Sequence, residues 1–323
     1  MKTKLFPVLA VSLMAVISHQ SASASNVEVT PLGAHAGEFC HLDRAMVFQD
    51  PDGTRILYDP GRTVAGADDP RLGDIDAVLV THMHGDHVGD KTIAGEGEGG
   101  ECAKPEFPNG ALPTTNAVAI AVAKGAKMVT GSEMPKFFGS KMKAAGGDPK
   151  NSVLVRFGAS TMVGGVTITT VPAAHSNGIS GSMIGGTLGD LLNSSGLTAY
   201  AGPPTGYVLT FSNGLVAYLS GDTGVTAEQE TVVRDLYGAN LAVINIGNTF
   251  TTGPKEAAWV VDNLVKPAAV IPSHANQPST AGGEVVEGTR LDVFLKAVQV
   301  PAHVPLSSRT MSFDGDANCV SGC

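Results

Sequence analysis

The sequence predicts a fold of the α/β (α+β) class, in which short strands alternate with helices. The run Ile75–Val80 is apolar at every position except Asp76, as expected for a strand that is buried on both faces of a sheet. The first part of the chain reads as a β-meander that turns at Asp50–Gly53, and the later part repeats a strand–helix pattern. With 323 residues, 43% of them hydrophobic, the chain is long enough to bury a large core.

The individual elements are predicted from apolar runs and from the turn residues between them. Strands are expected at Val27–Pro31, Arg44–Gln49, Thr54–Tyr58, Ile75–Val80, Lys127–Thr130, Val153–Phe157, Val166–Val171, Leu215–Leu219, Leu241–Ile246 and Ala268–Ile271. Helices are expected at Thr115–Lys124, Ser132–Ala145, Ala227–Leu236, Glu256–Leu264 and Arg290–Ala297, followed by an irregular tail. Two Gly-rich stretches, 88–113 and 176–204, interrupt the alternation, and loops of that length are more often functional than idle.

The N-terminal residues have the composition of a secretory signal peptide. Lys2 and Lys4 precede the apolar run Leu5–Ile17, and Ala22-Ser23-Ala24 places small residues at the positions that signal peptidase recognises. We expect cleavage after residue 24, which leaves a single mature domain of residues 25–323 in the periplasm or outside the cell. The apolar run is too short to cross a bilayer core of about 30 Å, and no other stretch reads as a transmembrane segment.

The charge of the chain argues against nucleic acid as a partner. Net charge is −9, it becomes −11 when the two lysines of the leader are removed, and the chain has no run rich in Lys or Arg. A small-molecule substrate is the expected partner, and an oligomer is compatible with the sequence.

Export to an oxidising compartment affects the expected role of the four cysteines, Cys40, Cys102, Cys319 and Cys323. An even number of cysteines in an oxidising compartment indicates disulfide bonds, although three pairings are compatible with the sequence. Cys319 and Cys323 are close enough to form a small loop, whereas a bond between Cys40 and Cys102 would restrain the first Gly-rich stretch. The spacing is not of the C-x2-C type, so a metal site is the weaker interpretation.

The strongest motif is Thr81-His82-Met83-His84-Gly85-Asp86-His87, which follows the buried strand directly. His82 and His84 are two residues apart, so they project to the same side of an extended segment. Gly85 lets the backbone turn, which directs Asp86 and His87 to a neighbouring point. Neutral histidine nitrogens and carboxylate oxygens are the ligands that Zn²⁺ takes, so the motif predicts a metal site.

Three more polar residues each follow an apolar strand: His175, Asp222 and His274. Ligands of sheet-based α/β proteins gather at the carboxyl ends of strands, where loops expose side chains on a rigid base. Each residue alone would more often be an ordinary loop or turn residue. Together with the motif at 82–87, they favour a metal centre built from five of the nine histidines of the chain.

These motifs, in this order, resemble the five-motif pattern of the metallo-β-lactamase superfamily from about Val27 to Asn276. The segments 246–251 and 266–274 are most similar to its UlaG-like metal-dependent hydrolases. The resemblance implies an αββα sandwich: two mixed sheets flanked by helices, with the metal site at one edge. It also implies two divalent ions, one held by His82, His84 and His175, the other by Asp86, His87 and His274, with Asp222 as the bridge.

By the same resemblance, a metal-bridging hydroxide attacks the substrate and Asp86 orients the nucleophile and relays a proton. His84 stands where redox members of the superfamily carry Glu, which favours zinc over iron, with Mn²⁺ and Fe²⁺ as alternatives. True β-lactamases lack a bridging aspartate at the position of Asp222, so the residue favours the broader hydrolases. Leu32-Gly33-Ala34-His35 departs from the usual Leu-Gly-His form by one residue, which leaves the role of His35 open.

The predicted function is therefore hydrolysis of an ester, lactone or phosphodiester by an exported enzyme with two metal ions. The insertion at 176–204 directly follows the predicted ligand His175, and it is apolar with glycines that can act as hinges. This pattern favours a lid over an acylated or lipid-like substrate. The alternative is that its leucines pack on the core or form a dimer contact. Two other functions stay open: a β-lactam-hydrolysing metallo-β-lactamase, and a non-catalytic metal-binding module of the periplasm. Asp59 is a candidate partner of a metal-binding histidine, with a plain turn residue as the alternative.

Overall fold

The computed structural model describes residues 26–98, 101–109 and 115–323. Two β-sheets pack face to face, and helices cover the outer face of each sheet. This arrangement confirms the predicted αββα sandwich. The predicted leader, residues 1–24, lies outside the described residues, so its cleavage and the mature domain 25–323 stay predictions.

The first sheet contains eight strands and is mixed. Its centre is the predicted meander followed by parallel strands. The chain passes through helices before Lys127–Thr130 and before Ser152–Leu154, whereas the connection from Arg55–Tyr58 to Ala77–Leu79 contains no helix. In order across the sheet, the strands are Cys319–Ser321, Met311–Phe313, Val27–Pro31, Met46–Gln49, Arg55–Tyr58, Ala77–Leu79, Lys127–Thr130 and Ser152–Leu154.

The second sheet contains six strands and is also mixed. In order across the sheet, they are Ala269–Ser273, Leu241–Asn245, Val216–Leu219, Thr205–Thr210, Val166–Pro172 and Ser160–Val163. Three two-stranded pairs lie outside the two sheets: Gly178–Ile179 with Ala199–Tyr200, Lys91–Thr92 with Phe107–Pro108, and Thr280–Ala281 with Glu284–Val285.

The α-helices of the described residues are Gly85–Val88, Asn116–Lys124, Met134–Ala144, Gly181–Ile184, Gly186–Ser194, Pro254–Val260 and Arg290–Ala297. Pro149–Asn151 is a 3-10 turn, and Gln229–Arg234 and Val261–Val265 are wound as π-helix. Thr115 caps the second of the α-helices, because its hydroxyl accepts a hydrogen bond from the backbone N–H of Val118 at 3.3 Å.

The hydrophobic core forms three layers. The largest cluster fills the space between the sheets and includes Phe48, Tyr207 and Phe313, all completely buried. A second cluster lies between the first sheet and the helices Asn116–Lys124 and Met134–Ala144. A third packs the second sheet against the helices near the C-terminus. Because both faces of each sheet are covered, the strands Ala77–Leu79, Leu241–Asn245 and Ala269–Ser273 are buried at every residue.

Three expectations were wrong or incomplete. The tail after Ala297 is not irregular throughout, since Met311–Phe313 and Cys319–Ser321 extend the edge of the first sheet. Thr205–Thr210 was not predicted as a strand, although it is a central strand of the second sheet. The insertion at 176–204 contains two short helices on a two-stranded stem instead of a loop.

The cysteines form two disulfides, Cys40–Cys102 and Cys319–Cys323, which selects one of the three pairings that the sequence allowed. The first joins the segment after Val27–Pro31 to the first Gly-rich stretch, and the second closes a small loop at the sheet edge. Over the part of the chain that the structure describes, no helix has the length and apolar character needed to cross a membrane.

Candidate metal centre

The residues that the sequence predicted as metal ligands meet where the two sheets adjoin. His82 lies just past Ala77–Leu79, at the carboxyl end of a parallel strand of the first sheet. Three strands of the second sheet run in one direction and end at the same edge, with His175, Asp222 and His274 at or just past their ends. The strand ends therefore place these residues at the same edge of the structure.

The first group consists of His82, His84, His175 and Asp222, whose potential ligand atoms all lie within 4.8 Å of one another. The His175 Nε2 atom lies 3.3 Å from Nδ1 of His84. Nε2 of His82 and Nε2 of His175 lie 3.8 and 3.7 Å from the same oxygen, Oδ2 of Asp222. We call this group the first half-site.

The second group consists of Asp86, His87 and His274, again with potential ligand atoms within 4.8 Å. Nε2 of His274 lies 3.4 Å from Oδ2 of Asp86, and Nε2 of His87 lies 3.8 Å from the same oxygen. The short helix Gly85–Val88 supplies the first two residues, and a Cβ atom at Gly85 would lie only 2.4 Å from the Asp90 carboxylate. We call this group the second half-site.

Asp222 lies between the two half-sites. Its Oδ2 atom is 3.2 Å from Nε2 of His274, and its Oδ1 atom is 3.3 Å from Nε2 of His87. The same carboxylate therefore faces histidines of both groups, as a bridging ligand would. Gly221 allows this approach, because it has a φ of +59° and a Cβ atom there would lie 2.9 Å from the Thr81 side chain.

Several polar atoms of the cluster are buried and make no hydrogen bond within the described chain. They are Nε2 of His82, both ring nitrogens of His274 and Oδ1 of Asp222. Buried polar atoms are normally paired, and leaving one unpaired costs about 1–3 kcal/mol. Donor atoms that converge without partners fit a bound divalent metal ion, so the residues present match the metal that the family pattern implies.

Asp59 fixes the orientation of one candidate ligand. It is fully buried, and its Oδ2 atom accepts a hydrogen bond from Nδ1 of His87 at 2.7 Å. The Thr81 hydroxyl and backbone N–H donate to the same carboxylate at 2.8 and 2.9 Å. Because the Nδ1 hydrogen of His87 is held by Asp59, its Nε2 atom remains for a metal ion. The interpretation of Asp59 as the partner of a site histidine agrees with this geometry.

The pKa values of the cluster reflect burial and the mixture of charges. Burial, assisted by the neighbouring histidines, holds the pKa of His82 well below its usual value and also lowers the pKa of His84 and of His175. These three rings are therefore neutral at pH 7 and can act as ligands. Burial lowers the pKa of His87, but Asp222, Asp59 and Asp86 outweigh it and raise that pKa to about 10. The carboxylates of the second half-site therefore stabilise a positive charge at this position.

The carboxylates are ionised. Burial alone would raise the pKa of Asp86, but the Arg44 guanidinium and the rings of His87 and His274 hold it well below its usual range. The pKa of Asp222 is also well below its usual range, because its interactions with the rings of His87 and His274 outweigh its burial. Both residues are therefore acceptors and anionic ligands at neutral pH.

Arg44 is a site residue that the sequence did not reveal. Its side chain is only 2% exposed, and Nη1 forms an ion pair with Oδ2 of Asp86 and lies 3.3 Å from Nε2 of His87. Arg44 comes 42 positions before Asp86 and reads as the first residue of an ordinary strand, so no local signal marks it. His35 is buried, bonds the carbonyl of Ala36 through Nδ1 at 2.9 Å and does not belong to either half-site.

The half-sites open into a cleft of about 440 Å³. Among its walls are Arg62, Ser176, Thr249, Phe250 and Asn276. A second cavity of about 310 Å³ adjoins it and shares His84 and Ser176. The insertion forms one side of this second cavity.

The second cavity combines apolar and polar walls, lined by Met83, Gly178, Ser180, Ser182, Met183 and Thr198 among others. The insertion is fastened at its base, because the Asn177 side chain accepts a hydrogen bond from the backbone N–H of Met83 at 2.9 Å and Met183 packs into the core. Leu188 and Leu191 at its tip are 58% and 61% exposed, so they do not pack on the core.

Hydrogen bonds between the sheets keep the strand ends in place. The Tyr207 hydroxyl donates to the carbonyls of Val80 and Val129 at 2.8 and 2.9 Å, so this buried tyrosine is structural. The Gly221 N–H donates to the Tyr58 hydroxyl at 2.9 Å, and this bond ties the loop that carries Asp222 to the first sheet. The ligand atoms are therefore presented from two sheets that are fixed relative to each other.

Known proteins share these features. Residues 54–275 match the family model described as the β-lactamase superfamily domain. The chain is 33% identical over 227 residues to a UPF0173 metal-dependent hydrolase of Methanopyrus kandleri, which covers 69% of this chain and 77% of the relative. A UPF0173 metal-dependent hydrolase of Pyrococcus abyssi is also 33% identical, over 226 residues, with the same shares of both chains.

A solved structure has the same fold. Igni18, a metallo hydrolase from the archaeon Ignicoccus hospitalis, superposes with a TM-score of 0.57 at 20% identity, over 90% of this chain and 99% of that one. The family model spans more than half of the sequence, and the curated relatives match over two thirds of it. The chain therefore belongs to the metallo-β-lactamase superfamily and is a metal-dependent hydrolase.

Proposed function

We propose that this protein is an exported hydrolase that holds two divalent metal ions, most favourably Zn²⁺, and cleaves an ester, lactone or phosphodiester bond. The observation that carries the proposal is the convergence of seven side chains in two half-sites around Asp222. His82, His84, His175 and Asp222 would hold one ion, and Asp86, His87, His274 and Asp222 the other. Such ions supply Lewis acidity and make water a nucleophile near neutral pH.

The chain itself supplies proton transfer and orientation. Asp86 is the most exposed of the carboxylates at the site, with 24% of its side chain accessible, and it lines the cleft. It is ionised at neutral pH, so it can accept a hydrogen bond from the attacking water, take its proton and deliver it to the leaving group. Arg62 points a cation into the same cleft and is held by Asp90 at 2.6 and 2.8 Å. It is placed to attract an anionic or carbonyl oxygen.

The second cavity supports a substrate with an acyl arm. It begins at His84 and Ser176, beside the first half-site, and continues between the motif loop and the insertion. An ester or lactone with its reacting carbonyl in the main cleft could place a chain of carbons along Met83 and Met183. Thr198→Trp would fill this cavity. We expect it to lower kcat/KM for long-chain esters at least tenfold and to leave short esters unchanged; equal effects on both would contradict this substrate class.

Export is proposed on the composition of the leader and is supported by the two disulfides, which form in oxidising compartments. Expression of the full sequence in a Gram-negative host, followed by osmotic shock, tests it. We expect a protein that begins at Ser25 in the periplasmic fraction. An intact Met1 in the cytoplasmic fraction would contradict the proposal.

The activity is tested with a lactone, an aryl ester, a phosphodiester and a β-lactam, assayed with excess zinc. Asp86→Asn should lower kcat by about 10²–10⁴, the range of general acid–base catalysis. Asp235→Asn is the matched control, because Asp235 is a carboxylate paired with Arg234 at the surface, 53% exposed and outside the cleft. An unchanged kcat in Asp86→Asn would contradict the proposed role of Asp86. Faster hydrolysis of the β-lactam than of the other three substrates would contradict the proposed substrate class.

A further inference from the structure

The two half-sites differ in one respect: only the second has a buried cation directed at its ligand atoms. Nη1 of Arg44 forms an ion pair with Oδ2 of Asp86 and lies 3.3 Å from Nε2 of His87. Among the described residues, no lysine or arginine makes a comparable contact with His82, His84 or His175. The asymmetry is therefore built into the chain.

The contact with His87 is the decisive one. Nδ1 of this ring already faces Asp59, so Nε2 is the only atom that it can offer to a metal ion. A ring nitrogen binds a metal ion through its one lone pair at about 2.0–2.1 Å, and Nη1 of Arg44, which has no acceptor capacity, stands 3.3 Å from Nε2 of His87. Nη1 of Arg44 and a metal ion cannot both occupy the position that faces this nitrogen.

Charge acts in the same direction. Carboxylate oxygens of Asp59, Asp222 and Asp86 lie 2.7, 3.3 and 3.8 Å from the ring nitrogens of His87, so a cation is favoured at this point. The guanidinium of Arg44 provides one unit of that charge. Because the guanidinium is 2% exposed, water screens its repulsion of a second cation only weakly.

We infer that Arg44 competes with the metal ion of the second half-site, so that the first half-site fills first and the second binds its ion more weakly. The inference rests on the proposed metal centre. It adds the order in which the two half-sites bind their ions and identifies Arg44 as the residue that determines this order. Filling of the second half-site requires Nη1 of Arg44 to withdraw from Nε2 of His87. Its ion pair with Asp86 can persist, because a carboxylate oxygen has lone pairs for both an N–H donor and an ion.

Arg44→Met tests the inference, because it keeps a long apolar stem and removes the guanidinium. The metal-free protein, stripped with a chelator, is titrated with Zn²⁺ against a chromophoric chelator, and the two dissociation constants are fitted. For the wild type we expect a second dissociation constant at least tenfold weaker than the first. Arg44→Met should tighten the second at least tenfold and leave the first unchanged.

Arg62→Met is the matched control. Arg62 lines the same cleft and carries the same charge, but its guanidinium is held by Asp90 and not by a candidate ligand. For Arg62→Met we expect a second dissociation constant within about threefold of the wild type. An equal effect of Arg62→Met and Arg44→Met would indicate general charge repulsion and overturn the inference. Weaker binding in Arg44→Met would overturn it as well, because Arg44 would then support Asp86.

The first dissociation constant serves as the folding control within each titration. If Arg44→Met loses the first half-site too, Arg44→Gln, which keeps a polar head for Asp86, replaces it, and the same tightening is required. A wild type that binds no ion at the first half-site would contradict the proposed function itself. Two ions of equal affinity in both wild type and Arg44→Met would contradict only the competition.

Discussion

Asp59→Asn is the most informative perturbation of the residues that support the metal centre. Asp59 has a positive φ of 38°, which Asn tolerates, so the backbone can be retained. With its oxygen facing the N–H of Thr81, the Asn amide group would face Nδ1 of His87 at the present 2.7 Å. Two N–H groups cannot bond each other, so His87 must give up the hydrogen on Nδ1 and keep one on Nε2, the atom that faces Asp222 and the second half-site.

The size of the effect can be worked from the bond that is lost. A hydrogen bond to a charged group contributes about 1.5–3 kcal/mol, and 1.4 kcal/mol corresponds to a tenfold change in an equilibrium constant. We therefore expect zinc affinity of the second half-site to fall by about 10- to 100-fold, the range known for such supporting residues. The first half-site is linked to Asp59 only through the Thr81 hydroxyl, which lies 3.0 Å from Nδ1 of His82, so we expect its affinity to change less than that of the second half-site.

The assay is competition for Zn²⁺ between the protein and a chromophoric chelator, with hydrolysis measured at each metal concentration. Asp50→Asn is the matched control: Asp50 is also a buried carboxylate, but it accepts hydrogen bonds from the N–H and the hydroxyl of Ser212, away from both half-sites. Unchanged second-site affinity in Asp59→Asn, or an equal loss in Asp50→Asn, would refute this expectation.

Two further predictions concern stability. Tyr207→Phe removes the hydroxyl that bonds the carbonyls of Val80 and Val129. We expect urea denaturation to show a free energy of unfolding lower by about 1–3 kcal/mol, with metal content unchanged. An unchanged free energy of unfolding would show that these inter-sheet hydrogen bonds do not stabilise the fold. Loss of the Cys40–Cys102 disulfide, which spans 62 residues, should cost about 4 kcal/mol on the chain-entropy model, against about 2 kcal/mol for Cys319–Cys323, which spans 4. Serine variants of each pair test this order, and a larger loss for the C-terminal pair would contradict it.

The ligand residues could be predicted because their types and positions are both constrained. His82, Asp222 and His274 each follow an apolar strand, and the strand itself is visible as a run of buried residues. Once strands end at one edge, the polar residues after them must lie together. The residues alone predicted an α/β (α+β) class, whereas the layered αββα arrangement was an implication of the family resemblance.

Other features depend on contacts that leave no local pattern. Arg44 reaches the second half-site through a tertiary contact, and its neighbours in sequence do not indicate it. The tail strand Met311–Phe313 is too short to stand out in the sequence, and it is held by pairing with Val27–Pro31 and Cys319–Ser321 and by burial of Phe313 in the core. The strand Thr205–Thr210 had a usable signal, because Tyr207 and Leu209 both face the core, but the turn residues just before it obscured that alternation.

Anomalous diffraction at the zinc edge, from crystals grown with excess Zn²⁺, is the most direct measurement of the central claim. The account predicts two peaks: one among His82, His84 and His175, and a weaker one among Asp86, His87 and His274, with Asp222 touching both. A single ion outside these groups, or no ion bound by the seven residues, would contradict it.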